Sequence, residues 1–341
     1  MLRIMKAIVY AGLLRLSVED TPVPEPKPGQ VLVRLKSAGI CGSDVNYIKG
    51  EFQYSKIPII PGHEGAGVVE IAEDSSELRE GDRVVINYVS SCGECEYCKI
   101  RRDNLCNNVE LIGFDRDGTW AEYIIVSEKS LMKLPDNISF EEGAISGCAL
   151  VTPFHAIKIS RLSPGESVAI IGLGGVGINA VPIARMMGAS KIIGVDIHSP
   201  KLEVARKYGA DLVVNPLETD PVEVVKEETG GVDVSFEFVG SINTILQALK
   251  ITKKGGRVVL VGLTRSSLTL PLPDLLFNEK TIITSIDHTR EDLKELLGLM
   301  ERRALNFQNS ISGVVDIAQV PKIIDEMVSG RYSGLRTVIR F

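Results

Sequence analysis

Four cysteines stand within 15 residues in "CGECEYCKIRRDNLC", spaced Cys92-x2-Cys95-x2-Cys98-x7-Cys106. That spacing meets the demand of a closed tetrahedral ion site, zinc above all, whose Zn–S arms are ~2.3 Å. An iron–sulfur cluster can also begin C-x2-C-x2-C, but the longer fourth spacing and the lack of a following Cys-Pro argue against it. Disulfides suit the pattern poorly, because spacings of three within one loop strain the bridge. Lys99, Arg101 and Arg102 offset part of the surplus negative charge of four thiolates. All four ligands are used, so the predicted site is structural, with no position open to a reactant.

A second chemistry-bearing pattern is "IIGLGGVGINA", with Gly172-x-Gly174-x-x-Gly177 enclosing Gly175 and Val176. An apolar strand precedes it and an apolar helix follows. The first glycine permits the tight turn, the second lets backbone approach a pyrophosphate, and the third lets helix and strand pack closely. Asp196 follows Gly177 by 19 residues, at the tip of the next strand. A carboxylate there accepts from the ribose hydroxyls and repels a 2′-phosphate, and no arginine follows directly. The pattern predicts NAD rather than NADP; the bland alternative is a structural turn with a surface aspartate.

Two cysteines remain, Cys41 and Cys148, with His63 and Glu64 between them in "PGHEGAG". Cys41, His63 and Cys148 would make a set of two thiolates and one imidazole, with a fourth position free for water or substrate. Spacing this wide does not separate that reading from ordinary buried packing.

The elements that must position these residues fall into two styles. Up to about residue 150 the chain reads as short Val/Ile-rich strands, "KAIVYAG", "QVLVRLKSAGI", "EGAGVVEIAE", "DRVVINYV" and "WAEYIIVSE", separated by Gly/Pro clusters, an antiparallel barrel-like pattern. From about residue 153, strands such as "SVAIIG", "KIIGVD" and "GRVVLVG" alternate with helices, which implies parallel βαβ units and a doubly wound sheet. Ser199 is the expected N-cap of the helix "SPKLEVARKYG". Two helices and the strand "LRTVIRF" close the chain.

The 341 residues are 44% hydrophobic and 24% charged, with a net charge of −6. The length suggests about two domains. No basic block points to nucleic acid, no apolar run looks like a membrane span, and the opening "MLRIMKAIVYAG" lacks the core and cleavage site of a secretory signal. A cytoplasmic protein is expected, in which cysteines serve metal or catalysis rather than disulfides.

In "GICGSD", "PGHEGAGVV", "GDRV", the four-cysteine lobe, "GCALVTPFHA", "GLGGVG", "GVD" and the terminal "LRTV", the chain resembles the zinc-dependent medium-chain alcohol dehydrogenases over essentially its whole length. The resemblance implies an α/β fold in two parts. One is an N-terminal GroES-like antiparallel β-barrel catalytic domain (1–152 and 287–341, with the structural zinc lobe at 90–108). The other is a Rossmann NAD-binding domain (153–286). It implies two zinc ions per subunit, NAD(H), a small alcohol and its aldehyde or ketone, and a homo-oligomer, by analogy a tetramer. By position, Cys41, His63 and Cys148 resemble the catalytic zinc ligands, and Glu64 the acid that in some relatives also ligates. Asp44 resembles the acid that orients the zinc histidine, and Ser43 the hydroxyl that takes the alcohol proton. Thr152 resembles a residue beside the nicotinamide and Arg336 an arginine that meets the pyrophosphate; Lys201 and Val239 are assigned to the cofactor with them. The activity implied is reversible oxidation of primary or secondary alcohols by hydride transfer to nicotinamide, with zinc as Lewis acid.

Two points depart from the pattern or leave it open. Asn46 stands where many relatives carry a histidine that ends the proton relay, and an amide takes up no proton at neutral pH; it is expected to bind substrate or ribose, or to leave the relay to water. Cys148 resembles the alcohol branch, since polyol and threonine dehydrogenases usually carry glutamate there, yet "CGSDVNYIKG" also resembles the polyol loop, so a polyol or sugar substrate is the alternative. Trp120 in "GTWAEY" is read equally as a wall of the substrate pocket or as ordinary burial beside a strand. His155, His198 and His288 are assigned no chemistry. A zinc-free, non-catalytic relative is the reading from a different class, which the complete ligand sets oppose.

Overall fold

The computed structural model describes residues 3–73, 75 and 77–341. The chain forms two compact units: Met1–Val151 with Asp287–Arg303 and Ile311–Phe341, and Thr152–Ile286 with Ala304–Ser310.

The first unit contains β1 (Ile4–Tyr10), β2 (Leu16–Pro22), β3 (Gln30–Ile40), β4 (Glu64–Ile71), β5 (Arg83–Ile86), β6 (Val89–Ser90), β7 (Glu110–Leu111), β8 (Tyr123–Ser127) and β9 (Leu131–Lys133). β3 organises it. One edge pairs antiparallel with β4; the other pairs with β8 over Gln30–Arg34 and with the C-terminal strand over Ser37–Ile40. The register shifts between Leu35 and Ser37, at the point where the partner changes. The length of this run and its near-continuous burial suit a central strand. Its core gathers Ile8, Val33, Leu35, Ile40, Val84, Ile86 and Trp120. "DRVVINYV" is two strands, not one, because the chain breaks at Asn87 and Tyr88. β2, mostly exposed and polar, was not legible as a strand.

The second unit is a parallel sheet of β10 (Ser167–Ile171), β11 (Lys191–Val195), β12 (Leu212–Val214), β13 (Val232–Glu237), β14 (Thr252–Leu260) and β15 (Thr281–Thr284), in the order β12-β11-β10-β13-β14-β15. The order reverses at β10, so the crevice beyond its carboxyl end is the topological switch point of a Rossmann fold. The glycine pattern leaves β10 there. Helices on both faces explain why Val168, Ala169, Ile170 and Ile171 are all buried. The helix after β11 begins at Ser199 with His198, not Ser199, as N-cap.

The chain then returns to the first unit through helix Arg290–Glu301, β16 (Ile311–Asp316), helix Val320–Val328 and β17 (Arg336–Arg340). β17 pairs parallel with β16 and antiparallel with the end of β3. The main sheet runs β16-β17-β3-β4-β5-β9 with β8 added on β3, which spends one edge on two successive partners. This is the largely antiparallel, barrel-like part expected. Segment Ala304–Ser310, expected with the first domain, clusters with the second unit, where Ser310 is hydrogen-bonded into its interior. Among the described residues no helix is long and apolar enough to cross a membrane.

Candidate active site and metal centres

The cysteine lobe folds as the spacing predicts. Cys95 caps the short helix Glu96–Lys99, Cys98 rides on it, and a 3-10 turn at Asp103–Leu105 brings Cys106 back. The Sγ separations are 3.9 Å for Cys92–Cys98, 3.6 Å for Cys95–Cys98, 3.9 Å for Cys95–Cys106 and 3.4 Å for Cys92–Cys106. A tetrahedron with ~2.3 Å arms has edges of about 3.8 Å, so these sulfurs fit one zinc ion; they are far longer than the ~2.05 Å of a disulfide. Backbone N–H groups of Cys95 and Asn108 point at the sulfurs of Cys92 and Cys106 at 3.4 and 3.3 Å. N–H donation from Cys98 and Asn107 holds the Cys95 thiol down at about 6, which favours the thiolate a metal needs.

The second set comes from distant parts of the first unit. Cys41 follows β3 and caps helix Gly42–Ile48; His63 and Glu64 stand at the start of β4. The register Gly39↔Glu64 puts Cys41 and His63 at the same end of that ladder. Cys148 lies on a π-helical turn, Ser146–Leu150, inserted between helices Phe140–Ile145 and Val151–Ser160. Such turns gather at functional sites, and nothing in the chain's periodicity announced this one. The candidate ligand atoms of Cys41, His63, Glu64 and Cys148 lie within 4.8 Å of one another, all on buried residues.

Asp44 organises the set. Its Oδ2 accepts the Cys41 N–H at 2.9 Å, capping the helix, and its Oδ1 lies 2.9 Å from His63 Nδ1. An ionised carboxylate only accepts, so His63 carries its proton on Nδ1 and Nε2 is left to ligate. The hydrogen bond with Cys148 and the nearby Arg336 cation pull the Cys41 thiol well below its usual value. Glu64 Oε1 accepts from Ala149 N–H at 3.1 Å and lies 3.5 Å from Arg336. Glu64 Oε2 is buried with no hydrogen-bond partner. It rests against Gly39, where a Cβ would come within 1.8 Å. Burial pushes Glu64 up to about 7 against the pull of Arg336. Two soft sulfurs, an oriented imidazole and an adjacent buried carboxyl are the donor set of a catalytic zinc site.

Ser43 and Asn46 are both half-buried on helix Gly42–Ile48, three positions apart and hence on one face. Trp120 is fully buried and its Nε1–H donates to Gly39 C=O at 3.0 Å, so it packs against the backbone under the site. Sequence reasoning missed Tyr88 and Phe114, whose ring centroids each lie 4.9 Å from that of His63; neither has a spacing signal. Tyr88 O–H donates to Asp287 at 2.6 Å. Of the unassigned histidines, His288 is buried with Nε2 2.9 Å from Asn87 Oδ1, His198 is exposed, and His155 is buried on its helix.

In the second unit the glycine loop has the steric character expected. Gly172 has φ +88°, Gly174 faces open space, and a Cβ on Gly177 would stand 1.9 Å from Gly172 C=O. The Asp196 side chain is buried: Oδ2 accepts Leu173 N–H at 2.8 Å and Oδ1 accepts His198 N–H at 2.9 Å. The carboxylate therefore ties the loop after β10 to the tip of β11. Val239 packs on the Gly172 turn, Lys201 lies in the first turn of its helix, and Thr152 opens the unit on helix Val151–Ser160. Arg336, assigned to the pyrophosphate, lies on β17 in the first unit, 2% exposed, donating to Ile40 C=O at 3.0 Å and facing Glu64. The pairing Thr337↔Ile40 draws β17 to the ligand set. An open glycine turn at a sheet's switch point, with a carboxylate at the neighbouring strand tip, fits a dinucleotide.

A Rossmann unit, together with a unit that holds one buried set of two cysteines and a histidine and one partly buried set of four cysteines, defines the class of zinc-dependent dehydrogenases. Family models match on both parts: "Alcohol dehydrogenase GroES-like domain" over residues 27–136 and "Zinc-binding dehydrogenase" over 175–302. An alcohol dehydrogenase of Geobacillus stearothermophilus is 38% identical over 98% of this chain and 99% of its own. Among solved structures, alcohol dehydrogenase TADH from Thermus sp. ATN1 superposes with TM-score 0.92 at 32% identity, covering 98% of this chain and 99% of that one. A putative zinc-binding dehydrogenase from Sinorhizobium meliloti 1021, bound to NADP, superposes with TM-score 0.92 at 29% identity, covering 99% and 100%. This chain belongs to the zinc-dependent medium-chain alcohol dehydrogenase family.

Proposed function

We propose that this protein is an NAD-dependent alcohol dehydrogenase that interconverts primary or secondary alcohols with aldehydes or ketones, carrying one structural and one catalytic zinc ion. The observation that carries the reading is the buried Cys41–His63–Cys148 set with Asp44 behind the imidazole. When bound, zinc supplies Lewis acidity to the substrate oxygen, and nicotinamide takes the hydride.

The chain's own residues supply the rest. Asp44 fixes the imidazole tautomer. Tyr88 and Phe114 wall His63 with aromatic rings and keep water from the reacting oxygen. Ser43 accepts the proton that leaves the alcohol. Asn46, on the same helix face, cannot be protonated near neutral pH, so the proton leaves through water. Asp196 meets the ribose hydroxyls and disfavours a second anion beside it, which supports NAD over NADP. Lys201, Val239 and Thr152 complete the cofactor contacts. Six free cysteines, used as two ligand sets, suit a reducing cytoplasm.

The test is a panel of alcohols and polyols with NAD and NADP, followed by nicotinamide absorbance on protein of measured zinc content. Turnover of simple alcohols with NAD is expected. Zinc-replete protein that reduces neither cofactor with any member would overturn the reading; polyols outrunning simple alcohols would move it to the sugar branch.

A further inference from the structure

Behind the glycine loop runs a buried polar chain that the reaction itself does not call on. Asn179, fully buried, ends the 3-10 turn Gly177–Asn179. Its Nδ2 donates to Gly175 C=O at 3.0 Å, and its Oδ1 accepts from the Ser310 hydroxyl. Ser310 is 1% exposed, and its Oγ lies 2.7 Å from the half-buried Tyr208 hydroxyl.

The direction of the chain follows from its ends. The Gly175 carbonyl can only accept, so the amide nitrogen of Asn179 faces it and the amide oxygen faces Ser310. Ser310 spends its single proton on that oxygen, so Tyr208 donates to Ser310. A flipped Asn179 would set two acceptors against each other at the loop, so the Gly175 carbonyl selects the amide's orientation. Ser310, donating to Oδ1 and accepting from Tyr208, holds the amide in that orientation, and the amide holds the plane of the Gly175–Val176 peptide. That peptide is planar and trans, so with its C=O turned to Asn179 its N–H, on Val176, points the opposite way. Phe307, fully buried, anchors the segment that brings Ser310, whose own N–H donates to Phe307 C=O at 2.9 Å. This is a physical reason for Ala304–Ser310 to belong to the cofactor unit while both its flanks belong to the other.

We propose that Ser310 and Tyr208 are positioning residues for the dinucleotide: through Asn179 they set the peptide plane of the glycine loop and so the N–H donor it presents to the pyrophosphate. The inference rests on the dinucleotide reading of that loop.

The experiment measures NADH and NADPH affinity by nicotinamide fluorescence on zinc-replete protein, unaltered and carrying Ser310→Ala or Tyr208→Phe. Loss of one buried hydrogen bond predicts NADH binding about tenfold weaker in S310A and about threefold weaker in Y208F. Alcohol KM at saturating cofactor and zinc content should stay within about twofold, since neither residue touches the ligand set. A role in folding alone would lower the melting temperature without moving NADH affinity, and that result in both variants overturns the proposal. So does a rise in alcohol KM, at saturating cofactor, as large as the loss of cofactor affinity. Should S310A not fold, Y208F, at a half-buried site and lacking only a hydroxyl, decides alone. An unaltered protein that binds neither cofactor brings down the dinucleotide reading itself; one that binds NADH only as tightly as both variants do brings down this inference only.

Discussion

Asp44 Oδ1 lies 2.9 Å from His63 Nδ1, with both side chains buried to within 1% of full enclosure. The same carboxylate caps the helix that begins at Cys41, so one residue fixes both Cys41 and His63. Asp44→Asn would turn an N–H toward either Cys41 N–H or His63 Nδ1–H. Loss of such an outer partner typically costs about 10–100-fold in metal affinity. Competition with a chromogenic chelator should show that loss at one of two zinc ions; retention of both at unaltered affinity would count against the role.

Glu64 and Arg336 are a buried ion pair at 3.5 Å. Removing one partner strands the other, at roughly 3–5 kcal/mol. Arg336→Met should therefore lower the cofactor-free unfolding free energy by about that amount, and adding Glu64→Gln should recover a large part of it. Denaturant titration of the single and double variants reads both. Equal stability of Arg336→Met and the unaltered protein would refute the pairing.

Cys98→Ser removes one corner of the four-cysteine tetrahedron. Metal analysis should fall from two zinc ions per chain to one, and the lobe should become the first point of proteolytic cleavage. Because Cys41, His63 and Cys148 come from other segments, the ion they hold should stay bound. Two ions in the variant would mean that the four sulfurs do not share one.

Asp196→Gly bears on cofactor choice. The carboxylate also receives Leu173 N–H, so both cofactors should bind more weakly, NAD more than NADP. Loss of one charge-assisted pair predicts a fall of at least about tenfold in the ratio of kcat/KM for NAD over NADP. An unchanged ratio would remove Asp196 from the ribose.

Two kinds of feature are legible in the sequence alone. The four-cysteine set lies in one loop, so spacing alone confines its ligands to a small volume. The glycine loop, its strand, its helix and Asp196 form one βαβ unit, and period-2 and period-3.6 patterning locate each piece. The strands of the parallel sheet read as apolar runs because both faces are buried. Polar β2, the break at Asn87–Tyr88 and the π turn under Cys148 leave no comparable pattern.

The sequence by itself thus determined what is local: the family motifs, the alternation of elements and the ligands of one ion. Tertiary structure decided what is joined across distance. Cys41, His63 and Cys148 meet because the β3–β4 ladder ends at Gly39↔Glu64 and because the π turn presses Gly147 onto Ile86, where a Cβ would come within 2.6 Å of the carbonyl. Arg336 joins them because Thr337 pairs with Ile40. Ser310 reaches Asn179 across 131 residues. Side-chain chemistry names candidates, but ladder register and close packing decide which of them share a site, and neither is written in the spacing of residues along the chain.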